Sequence, residues 1–393
     1  MAEIVTLGCR LNLSESETIR SMLGDRPVAV VNSCAVTGEA VRRSRRAVRR
    51  LARENPGAEL VVTGCAATID PAGFAAIAGV SRVVANPLKL VPEAWGALAP
   101  ATLPPSPHAR ALVEVQNGCD HACTFCIIPA GRGTSRSLPA GGVVERIAAL
   151  VAAGHREVVL TGVDLTSYGA DLPGVPTLGH LVERILRLVP DLPRLRLSSI
   201  DPAEVDDRLF ALLAHEQRVM PHLHLSMQAG DDLILKRMKR RHSRAQAVSL
   251  VQRLRAARPD LAVGADLIAG FPTESGAAFE NSRALIEECG IVHAHIFPFS
   301  PREGTPAARM PQVDPVMVRD RAAILRDTAA RVRRDWLARL VGTVQSVLVE
   351  RPGDTGHAEN FAEVRFTEKR EPGTLIAARI TAAADDHLIG DTE

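Results

Sequence analysis

The amino-acid sequence predicts an α/β protein with three parts: an N-terminal small parallel α/β domain, a central partial (βα)6 barrel and a C-terminal small β-barrel. Three observations support this prediction. Short apolar runs alternate with helical stretches in residues 1–96, as in a parallel sheet. The same alternation returns about six times in residues 111–335, short of the eight units of a complete barrel. After Gly342 the apolar runs are short and separated by glycine and polar turns, as in small β-barrels.

The N-terminal domain, residues 1–96, contains three apolar runs that each end in a cysteine: EIVTLGC at 3–9, VAVVNSC at 28–34 and ELVVTGC at 59–65. These runs have the composition of buried strands. We predict one helix over 39–54 and another over 14–23. Ser14 would cap the helix over 14–23, because Glu17 follows Ser14 with the spacing of a capping box.

The cysteines at these strand ends are Cys9, Cys34 and Cys65. Parallel strands present their carboxyl ends at one edge of a sheet, where open α/β sheets place their sites. A buried structural cysteine is the simpler interpretation of any one of the three. Their repetition at three equivalent strand ends favours a metal centre.

Residues 97–110, ALAPATLPPSPHAR, are rich in proline and alanine and predict a linker. The barrel follows in residues 111–335. After a first strand, ALVEVQ, we predict strands over 157–163, 194–200, 222–228, 262–270 and 292–300. The predicted helices cover 141–153, 177–189, 204–215, 243–257 and 276–289. Polar residues at the carboxyl ends of the strands mark the predicted site face of the barrel.

The last predicted helix covers 314–340, and residues 336–393 form the predicted C-terminal β-domain. Its strands are VQSVLVE, NFAEVRF and LIAARIT. The change from helical to alternating apolar periodicity separates this domain from the barrel.

Residues 115–133, VQNGCDHACTFCIIPAGRG, contain Cys119, Cys123 and Cys126 in a C-x3-C-x2-C pattern. Three thiolates this close together suit zinc or an iron–sulfur cluster. A structural zinc needs a fourth ligand and is usually built from paired C-x2-C elements. A cube held by three thiolates keeps one iron open for a substrate or cofactor. His121 lies inside this loop, and an exposed surface position is the simpler interpretation of it.

Composition limits the remaining possibilities. The 393 residues are 46% hydrophobic and 23% charged, as in soluble globular proteins. No run of 18 uncharged apolar residues and no signal-peptide pattern is present, so we expect a cytoplasmic protein without a membrane partner. Seven cysteines, an odd number, favour metal ligation over a disulfide framework. The net charge of +2 neither requires nor excludes a nucleic-acid partner.

The loop at 119–126, with Phe125 before its last cysteine, resembles that of radical S-adenosylmethionine (SAM) enzymes. Almost the whole chain resembles the methylthiotransferases within that superfamily. The motifs that carry the resemblance are LGCRLNLSESE, VVNSCAVTGEA, VVTGCAA, GCDHACTFCIIPAGRG, LTGVDLTSYG, RLSSIDP, HLHLSMQAGDD, DLIAGFP and FPFSPREGTPAA. The segment GHAENFAEVRF resembles the TRAM domain, an RNA-binding β-module.

The resemblance implies two 4Fe–4S clusters and SAM as cofactors. Cys119, Cys123 and Cys126 would hold the cluster that cleaves SAM to a 5′-deoxyadenosyl radical. Cys9, Cys34 and Cys65 would hold an auxiliary cluster that carries or donates sulfur. Radical chemistry suits the reaction, because no ordinary general base removes a proton from an inert aromatic C–H.

The segments CRLN, CAVT and SPREGTPAA resemble the branch that methylthiolates C2 of N6-threonylcarbamoyladenosine, beside the anticodon at position 37 of tRNA. The alternatives are methylthiolation of isopentenyladenosine in tRNA and of a ribosomal-protein aspartate. A non-catalytic iron–sulfur protein is an alternative from another class, but it leaves the barrel and the open-iron loop without a role. Expected partners are tRNA, a low-potential electron donor of the flavodoxin or ferredoxin type, and a sulfur donor.

Gln228, Arg240 and Asp266 match family segments near SAM, and Arg240 would suit the SAM carboxylate. Barrel packing or a surface position is the alternative for each. The sequence departs from the family in two places. The usual serine and glycine after Gln228 are Ala229 and Gly230, and the usual tyrosine after the double arginine is His242.

The strongest basic cluster is on the helix predicted over 39–54 and comprises Arg42, Arg43, Arg45, Arg46, Arg49, Arg50 and Arg53. Most of these arginines share one helix face and would repel each other without an anion nearby. A solvated surface is the alternative to tRNA backbone contact, which we favour. Few aromatic residues are available for base stacking, so phosphate and shape contacts should dominate. Cys289, the seventh cysteine, is predicted to be structural.

Overall fold

The computed structural model describes residues 2–97 and 108–392. Residues 98–107, most of the predicted linker, lie outside the described residues. The chain divides into two compact units. Unit 1 comprises Met1–Ser106, Gln116–Arg136 and Ser300–Arg309, and unit 2 comprises Pro107–Val115, Ser137–Phe299 and Met310–Glu393. All six predicted cluster cysteines therefore belong to unit 1, whereas the domain bounds at 96, 110 and 335 stay a prediction.

The N-terminal residues form the four-stranded parallel sheet of unit 1. Its strands and helices are β1 (Glu3–Thr6), α1 (Arg10–Leu23), β2 (Val28–Ser33), α2 (Gly38–Glu54), β3 (Glu59–Gly64), α3 (Cys65–Ile69), α4 (Pro71–Ala75) and β4 (Arg82–Val84). The strands pair in chain order, β1-β2-β3-β4. Val5 pairs with Val31, and Val31 with Val62, so the carboxyl ends of the first three strands lie at one edge.

Helix α1 begins earlier than the capping pattern predicts. It starts at Arg10 with Cys9 in the N-cap position, so the prediction that Ser14 caps this helix is wrong. Ser14 lies inside the helix and is buried. The consequence is that Cys9 is held at the junction of a loop and a helix, beside the carboxyl ends of β1 and β2.

The middle of the chain alternates strands and helices. These are β5 (Arg110–Glu114), β6 (Gln116–Asn117), α5 (Ile128–Arg132), β7 (Arg136–Ser137), α6 (Ala140–Ala152), β8 (Glu157–Thr161), α7 (Leu178–Leu188), β9 (Arg194–Leu197), α8 (Asp207–His215), β10 (His222–Gln228), α9 (Asp232–Met238), α10 (Arg244–Ala257), β11 (Ala262–Ala269), α11 (Gly276–Glu288), β12 (Ile291–Pro298) and α12 (Pro315–Ala338).

Six parallel strands of unit 2 form the predicted partial barrel. They are arranged as β5-β8-β9 and β10-β11-β12, and a bridge between Ile200 and Leu225 joins the two halves. Apolar residues on the helix side of the strands, such as Leu223 and Val263, are fully buried in one core. The opposite faces of β10, β11 and β12 carry polar side chains, including His224 and Asp266.

The C-terminal domain is a closed barrel of five strands, as predicted, in the order β13-β14-β15-β17-β16. The strands are β13 (Val344–Glu350), β14 (Thr355–Ala358), β15 (Glu363–Phe366), β16 (Leu375–Ala383) and β17 (Leu388–Thr392). The sequence predicted three of them and missed β14 and β17, which are short and contain glycine. Across the described residues, no helix combines the length and the apolar character needed to cross a membrane.

The C-terminal barrel packs on the amino-terminal ends of the central strands, within unit 2. Phe361, with a φ of 68°, stacks against His222 at 4.8 Å and lies under the guanidinium of Arg196 at 4.9 Å. Arg196, fully buried, pairs with Glu157 and donates a hydrogen bond to the carbonyl of Glu359. The two barrels are therefore joined by buried charged and aromatic contacts.

Candidate functional site

The three N-terminal cysteines lie together at the carboxyl edge of the sheet of unit 1. Cys9 precedes α1, Cys34 follows β2 directly and Cys65 is the first residue of α3. Cys34 and Cys65 are buried and Cys9 is exposed. Gly8 has a φ of 94°, and a Cβ there would lie 2.7 Å from the Cys34 Sγ. Only glycine therefore allows the Cys9 loop to approach Cys34 this closely.

The donor set of this N-terminal triad fits an iron–sulfur cluster better than a single zinc ion. All seven cysteines are free of disulfides. Around one zinc the sulfurs would lie about 3.8 Å apart. Some groups of three potential metal ligands among the described residues have their donor atoms within 4.8 Å of one another. None of these groups contains Cys9, Cys34 or Cys65. Soft thiolates at wider spacing suit a larger iron–sulfur centre.

The thiols of Cys9 and Cys65 are near enough to Cys34 to affect its ionisation. Burial raises the pKa of the Cys34 thiol, and the charges of Cys9 and Cys65 raise it further. Arg132 opposes this shift. A group that withdraws electron density from all three sulfurs, as a bound iron centre does, would remove this mutual repulsion. The Nδ2 of Asn86 also donates a hydrogen bond to the Cys65 Sγ at 3.5 Å.

The central triad, Cys119, Cys123 and Cys126, is shaped by its own loop. The backbone N–H of His121 donates to the Cys119 Sγ at 3.4 Å, and that of Ile128 donates to the Cys126 Sγ at 3.5 Å. Such N–H···S hydrogen bonds stabilise thiolate ligands of iron–sulfur clusters. All three cysteines and His121 are half-buried. Backbone amides of the loop thus hold two of the three sulfurs, and all three cysteines remain partly accessible to solvent.

Two further contacts fix the ends of this loop within unit 1. The Cys119 N–H donates to the Gly133 carbonyl at 3.1 Å, and the Ala307 N–H donates to the Thr124 carbonyl at 2.9 Å. Gly118 has a φ of 75°, and a Cβ there would collide with the Thr134 carbonyl at 1.9 Å. The segment after the loop also approaches the N-terminal triad, since a Cβ on Gly131 would lie 3.1 Å from the Cys65 Cβ.

These segments are joined by four polar residues that the sequence did not predict as site residues: Asn12, Glu15, Lys89 and Arg132. All four are buried, and they form a network inside unit 1. Arg132 lay in the motif GCDHACTFCIIPAGRG but received no role. A buried lysine such as Lys89 leaves no periodic signal, so only the structure reveals it.

The predicted SAM contacts Gln228, Arg240 and Asp266 lie in unit 2. Gln228 ends β10 with a φ of 65°. Arg240 donates to the Asp201 carboxylate at 2.9 Å and to the Ser226 carbonyl at 2.7 Å. Arg240 thus has protein partners, while its role towards SAM stays a prediction.

Asp266 lies within β11 between two histidines. Its Oδ1 is 3.1 Å from the Nε2 of His224 and 3.0 Å from the Nδ1 of His295. Burial would raise the pKa of Asp266, but the two imidazoles hold it well below its ordinary range. Gly264 makes room for this arrangement, since a Cβ there would lie 2.4 Å from the His224 Nδ1.

The two departures from the family pattern have local explanations. The Gly230 N–H donates to the Ser282 Oγ at 2.9 Å, and a Cβ at this position would lie 2.5 Å from the Asn281 carbonyl oxygen. His242 is buried, with its Nε2 3.2 Å from the Met227 carbonyl oxygen. Burial would raise the pKa of Asp201, but His242 and Arg240 keep it well below its ordinary range.

The predicted arginine cluster lies on α2 and is partly neutralised. Arg42 and Arg46 share Glu39, Arg50 pairs with Glu54, and Arg45 pairs with Asp70. These pairs are largely exposed, so water screens them and each contributes little to the stability of the fold. Arg43, Arg49 and Arg53 are exposed and make no ion pair with any described residue. We call these three residues the open arginines of α2.

Two protein-family models match the sequence of this chain. The model of the Radical SAM superfamily matches residues 113–286, and that of Uncharacterized protein family UPF0004 matches residues 1–85. The chain is 45% identical to the threonylcarbamoyladenosine tRNA methylthiotransferase MtaB of Rickettsia prowazekii, over 98% of this chain and 96% of that protein. The chain belongs to the radical-SAM methylthiotransferase family.

A methylthiotransferase of the other tRNA branch is also similar. The tRNA-2-methylthio-N(6)-dimethylallyladenosine synthase of Novosphingobium aromaticivorans is 33% identical over 98% of this chain and 96% of its own length. Among solved structures, the radical SAM methyltransferase TsrM from Kitasatospora setae matches with a TM-score of 0.54 and 14% identity, over 86% of this chain and 70% of TsrM. That likeness supports the fold alone.

Family membership makes this chain a radical-SAM enzyme that uses SAM and a 4Fe–4S cluster. The central triad offers three sulfur donors, two of them supported by backbone amides, and its assignment to that cluster stays a prediction. Cys289 is the remaining cysteine and is fully buried at the end of α11, where burial raises its pKa to about 12. This burial matches the structural role that the sequence predicted for it.

Proposed function

We propose that this methylthiotransferase adds a methylthio group to C2 of N6-threonylcarbamoyladenosine at position 37 of tRNA. The observation that carries the proposal is the 45% identity to a protein of that activity, spread over 98% of the chain. The identity to the dimethylallyladenosine branch is lower, at 33% over the same share. The open arginines of α2 are also suited to the phosphates of a nucleic-acid substrate.

Each triad has its own role in this proposal. Cys119, Cys123 and Cys126 hold the 4Fe–4S cluster that binds and cleaves SAM. Cys9, Cys34 and Cys65 hold a second 4Fe–4S cluster, which supplies sulfur. The support is the convergence of three thiols at one sheet edge, two of them buried, with Asn86 donating to the Cys65 sulfur. When bound, the two clusters together supply the radical and the sulfur that the aromatic C–H requires.

The protein's own groups hold and orient these centres. Backbone amides of His121 and Ile128 fix two sulfurs of the central triad. Gln228, Arg240 and Asp266 are proposed SAM contacts, of which Asp266 is kept ionised by His224 and His295. Residues 1–96, 111–335 and 336–393 are the proposed functional domains, for sulfur supply, SAM chemistry and RNA binding respectively.

The proposed partners are tRNA, a flavodoxin- or ferredoxin-type electron donor and a source of sulfur. The open arginines of α2 are suited to tRNA phosphates, because no ion pair with a described residue neutralises their charge. They lie on a helix whose apolar side, with Val48 and Leu51, is buried against the sheet. A rigid helix therefore presents these charges.

The test is a direct comparison of substrates. Anaerobically reconstituted enzyme receives SAM, a reductant, sulfide and tRNA that carries either threonylcarbamoyladenosine or isopentenyladenosine at position 37. Nucleosides from each reaction are then analysed by mass spectrometry. The proposal expects the methylthio product from the first tRNA at a rate at least tenfold above the second. Equal rates, or a preference for the second tRNA, would contradict it.

A further inference from the structure

A buried group of charges in unit 1 adjoins segments that carry cysteines of both triads. It comprises Glu15 on α1, Lys89 after β4 and Arg132 at the end of α5, and we call it the Glu15 network. The side chain of Lys89 is 0% exposed, that of Glu15 is 3% and that of Arg132 is 2%. Charged groups are rarely buried this completely unless they are paired.

The hydrogen bonds of the network centre on the Glu15 carboxylate. Lys89 donates to Oε2 at 2.5 Å, and Arg132 donates to Oε1 at 2.9 Å and to Oε2 at 3.1 Å. The amide oxygen of Asn12 accepts from both cations, from Lys89 at 3.2 Å and from Arg132 at 2.7 Å. Arg132 also donates to the Asn117 amide oxygen at 3.0 Å, two residues before the central triad begins.

The network contains two cations and one carboxylate, so it carries one excess positive charge. Burial would raise the pKa of Glu15, but Lys89 and Arg132 keep it below its ordinary value, and the carboxylate is ionised. Isolating a charge in the protein interior costs several kcal/mol. The excess positive charge therefore calls for an anionic neighbour.

The neighbour with negative charge is the N-terminal triad. The Nδ2 of Asn12, whose amide oxygen accepts from both cations, donates to the carbonyl of Ser33 at 3.1 Å, directly before Cys34. Arg132 follows Gly131, where a Cβ would lie 3.1 Å from the Cys65 Cβ. Burial lowers the pKa of Lys89, and the charges of Glu15 and Cys65 oppose that shift. Three thiolates around a 4Fe–4S core of formal charge +2 carry a net charge of −1, which matches the excess charge of the network. One electron from an external reductant takes this centre to −2, and the network then faces twice the negative charge.

We propose that the Glu15 network sets the reduction potential of the cluster held by Cys9, Cys34 and Cys65, with Lys89 as the positioning residue that supplies the excess charge. This inference rests on the second cluster in the proposed function. A fixed positive charge in a low-dielectric site favours the more negative, reduced state of its neighbour. Lys89 touches neither SAM nor tRNA in this role, and it acts only through its charge.

The experiment isolates the N-terminal cluster and changes the charge beside it. The full chain with Cys119→Ala, Cys123→Ala and Cys126→Ala is reconstituted anaerobically, and its cluster is titrated with titanium(III) citrate while the EPR signal of the reduced form is recorded. Into this background go Lys89→Met, Glu15→Gln and a control, Arg20→Met. Arg20 is an exposed cation on the same helix as Glu15, so its loss changes the net charge equally but is screened by water.

Lys89→Met should lower the ratio of reduced to oxidised cluster on the order of tenfold at a fixed potential, equivalent to about 59 mV for one electron. Glu15→Gln should shift the potential in the opposite direction, because it leaves both cations uncompensated. Arg20→Met should leave the potential in place. Methionine fills a volume similar to that of lysine and leaves the Glu15–Arg132 pair intact, so Lys89→Met should fold normally, as thermal unfolding will check.

Two outcomes would overturn the inference, and they are distinguishable. If the background protein binds iron but Lys89→Met and Arg20→Met have the same potential as their parent, the network does not tune the cluster, while the second cluster itself stands. If the background protein binds no iron at all, the second cluster of the proposed function fails, and the tuning role fails with it.

Discussion

The two cysteine triads of unit 1 are assembled by different structural routes. Cys119, Cys123 and Cys126 lie within one loop, whose own backbone amides support two of the sulfurs. Cys9, Cys34 and Cys65 come from three separate loops, and the parallel pairing of β1, β2 and β3 brings them together. The central triad thus depends on local spacing, whereas the N-terminal triad depends on the sheet.

This difference predicts how each triad fails. A change within the central loop alters one cluster site and leaves the sheet intact. A change that separates β1 from β2 alters the N-terminal site even when every cysteine is kept. The surrounding charge also differs, since the N-terminal triad has Arg132 and Lys89 beside it, buried in the same unit.

The largest expected effect comes from removing the central triad. The Cys119→Ala, Cys123→Ala and Cys126→Ala variant should lose SAM cleavage altogether, because no cluster remains to bind SAM. Iron should fall from about eight to about four per chain, as expected for two cubes. Iron analysis and assay of 5′-deoxyadenosine under reductant measure the two effects. Full retention of iron would contradict the two-site interpretation.

Removing the N-terminal triad should separate the two roles. With Cys9→Ala, Cys34→Ala and Cys65→Ala, the protein should still convert SAM to 5′-deoxyadenosine but form no methylthio nucleoside. Iron should again be about half of the parent value. If SAM cleavage disappears although the central cluster is spectroscopically intact, the two centres depend on each other.

Gly8→Ala keeps all three cysteines of the N-terminal triad and tests whether the triad depends on the backbone conformation of the Cys9 loop. The new Cβ would lie 2.7 Å from the Cys34 Sγ and would require a φ of 94°, which costs roughly 1–2 kcal/mol in a residue other than glycine. We expect iron binding at this triad to weaken severalfold while SAM cleavage persists. Gly57→Ala is the control, because its Cβ would meet no atom within 4 Å. Equal iron content in both variants would show that this loop tolerates displacement.

The open arginines of α2 should affect affinity for tRNA without affecting either triad. Arg43→Gln, Arg49→Gln and Arg53→Gln together should flatten the slope of log affinity against log salt by about two to three units. A matched variant, Arg42→Gln with Arg46→Gln and Glu39→Gln, removes cations that are already paired and should change the slope less. SAM cleavage without tRNA should be equal in both. An unchanged slope in the first variant would make α2 an ordinary solvated surface.

The smallest effect concerns Cys289. Because its thiol is fully buried and its pKa is raised to about 12, it should resist alkylation at pH 8 in the folded apoprotein. The exposed Cys9 should react rapidly under the same conditions. Mass spectrometry of peptides after brief iodoacetamide treatment gives both rates. Rapid modification of Cys289 would show that the core around α11 opens readily.

The sequence predicted the features that depend on local patterns. The strand over 222–228 was predicted with its observed bounds, and α2 was predicted within one residue at its start. The start of α1 was wrong, because Cys9 occupies the N-cap position although its side chain makes no capping hydrogen bond. Capping preferences therefore pointed to Ser14 instead.

The convergence of Cys9, Cys34 and Cys65 was predictable, since it follows from parallel strands of known order. The Glu15 network was not. Its members come from α1, from the segment after β4 and from α5, and no spacing in the sequence relates them. A core is predicted from the spacing of apolar residues, so buried charged residues are not recognised as part of it. Tertiary structure alone assembles such a group.

The contact around Phe361 bears on how this protein can be re-engineered. A small terminal domain is an attractive part to exchange between relatives. Here, however, Arg196 lies in the central barrel and depends on the Glu359 carbonyl and the Phe361 ring of the C-terminal barrel. A chimera that imports a foreign module must therefore import a matching partner for this arginine, or carry a compensating change at Arg196 and Glu157. The residues on both sides of the interface between the two barrels must therefore match in any chimera.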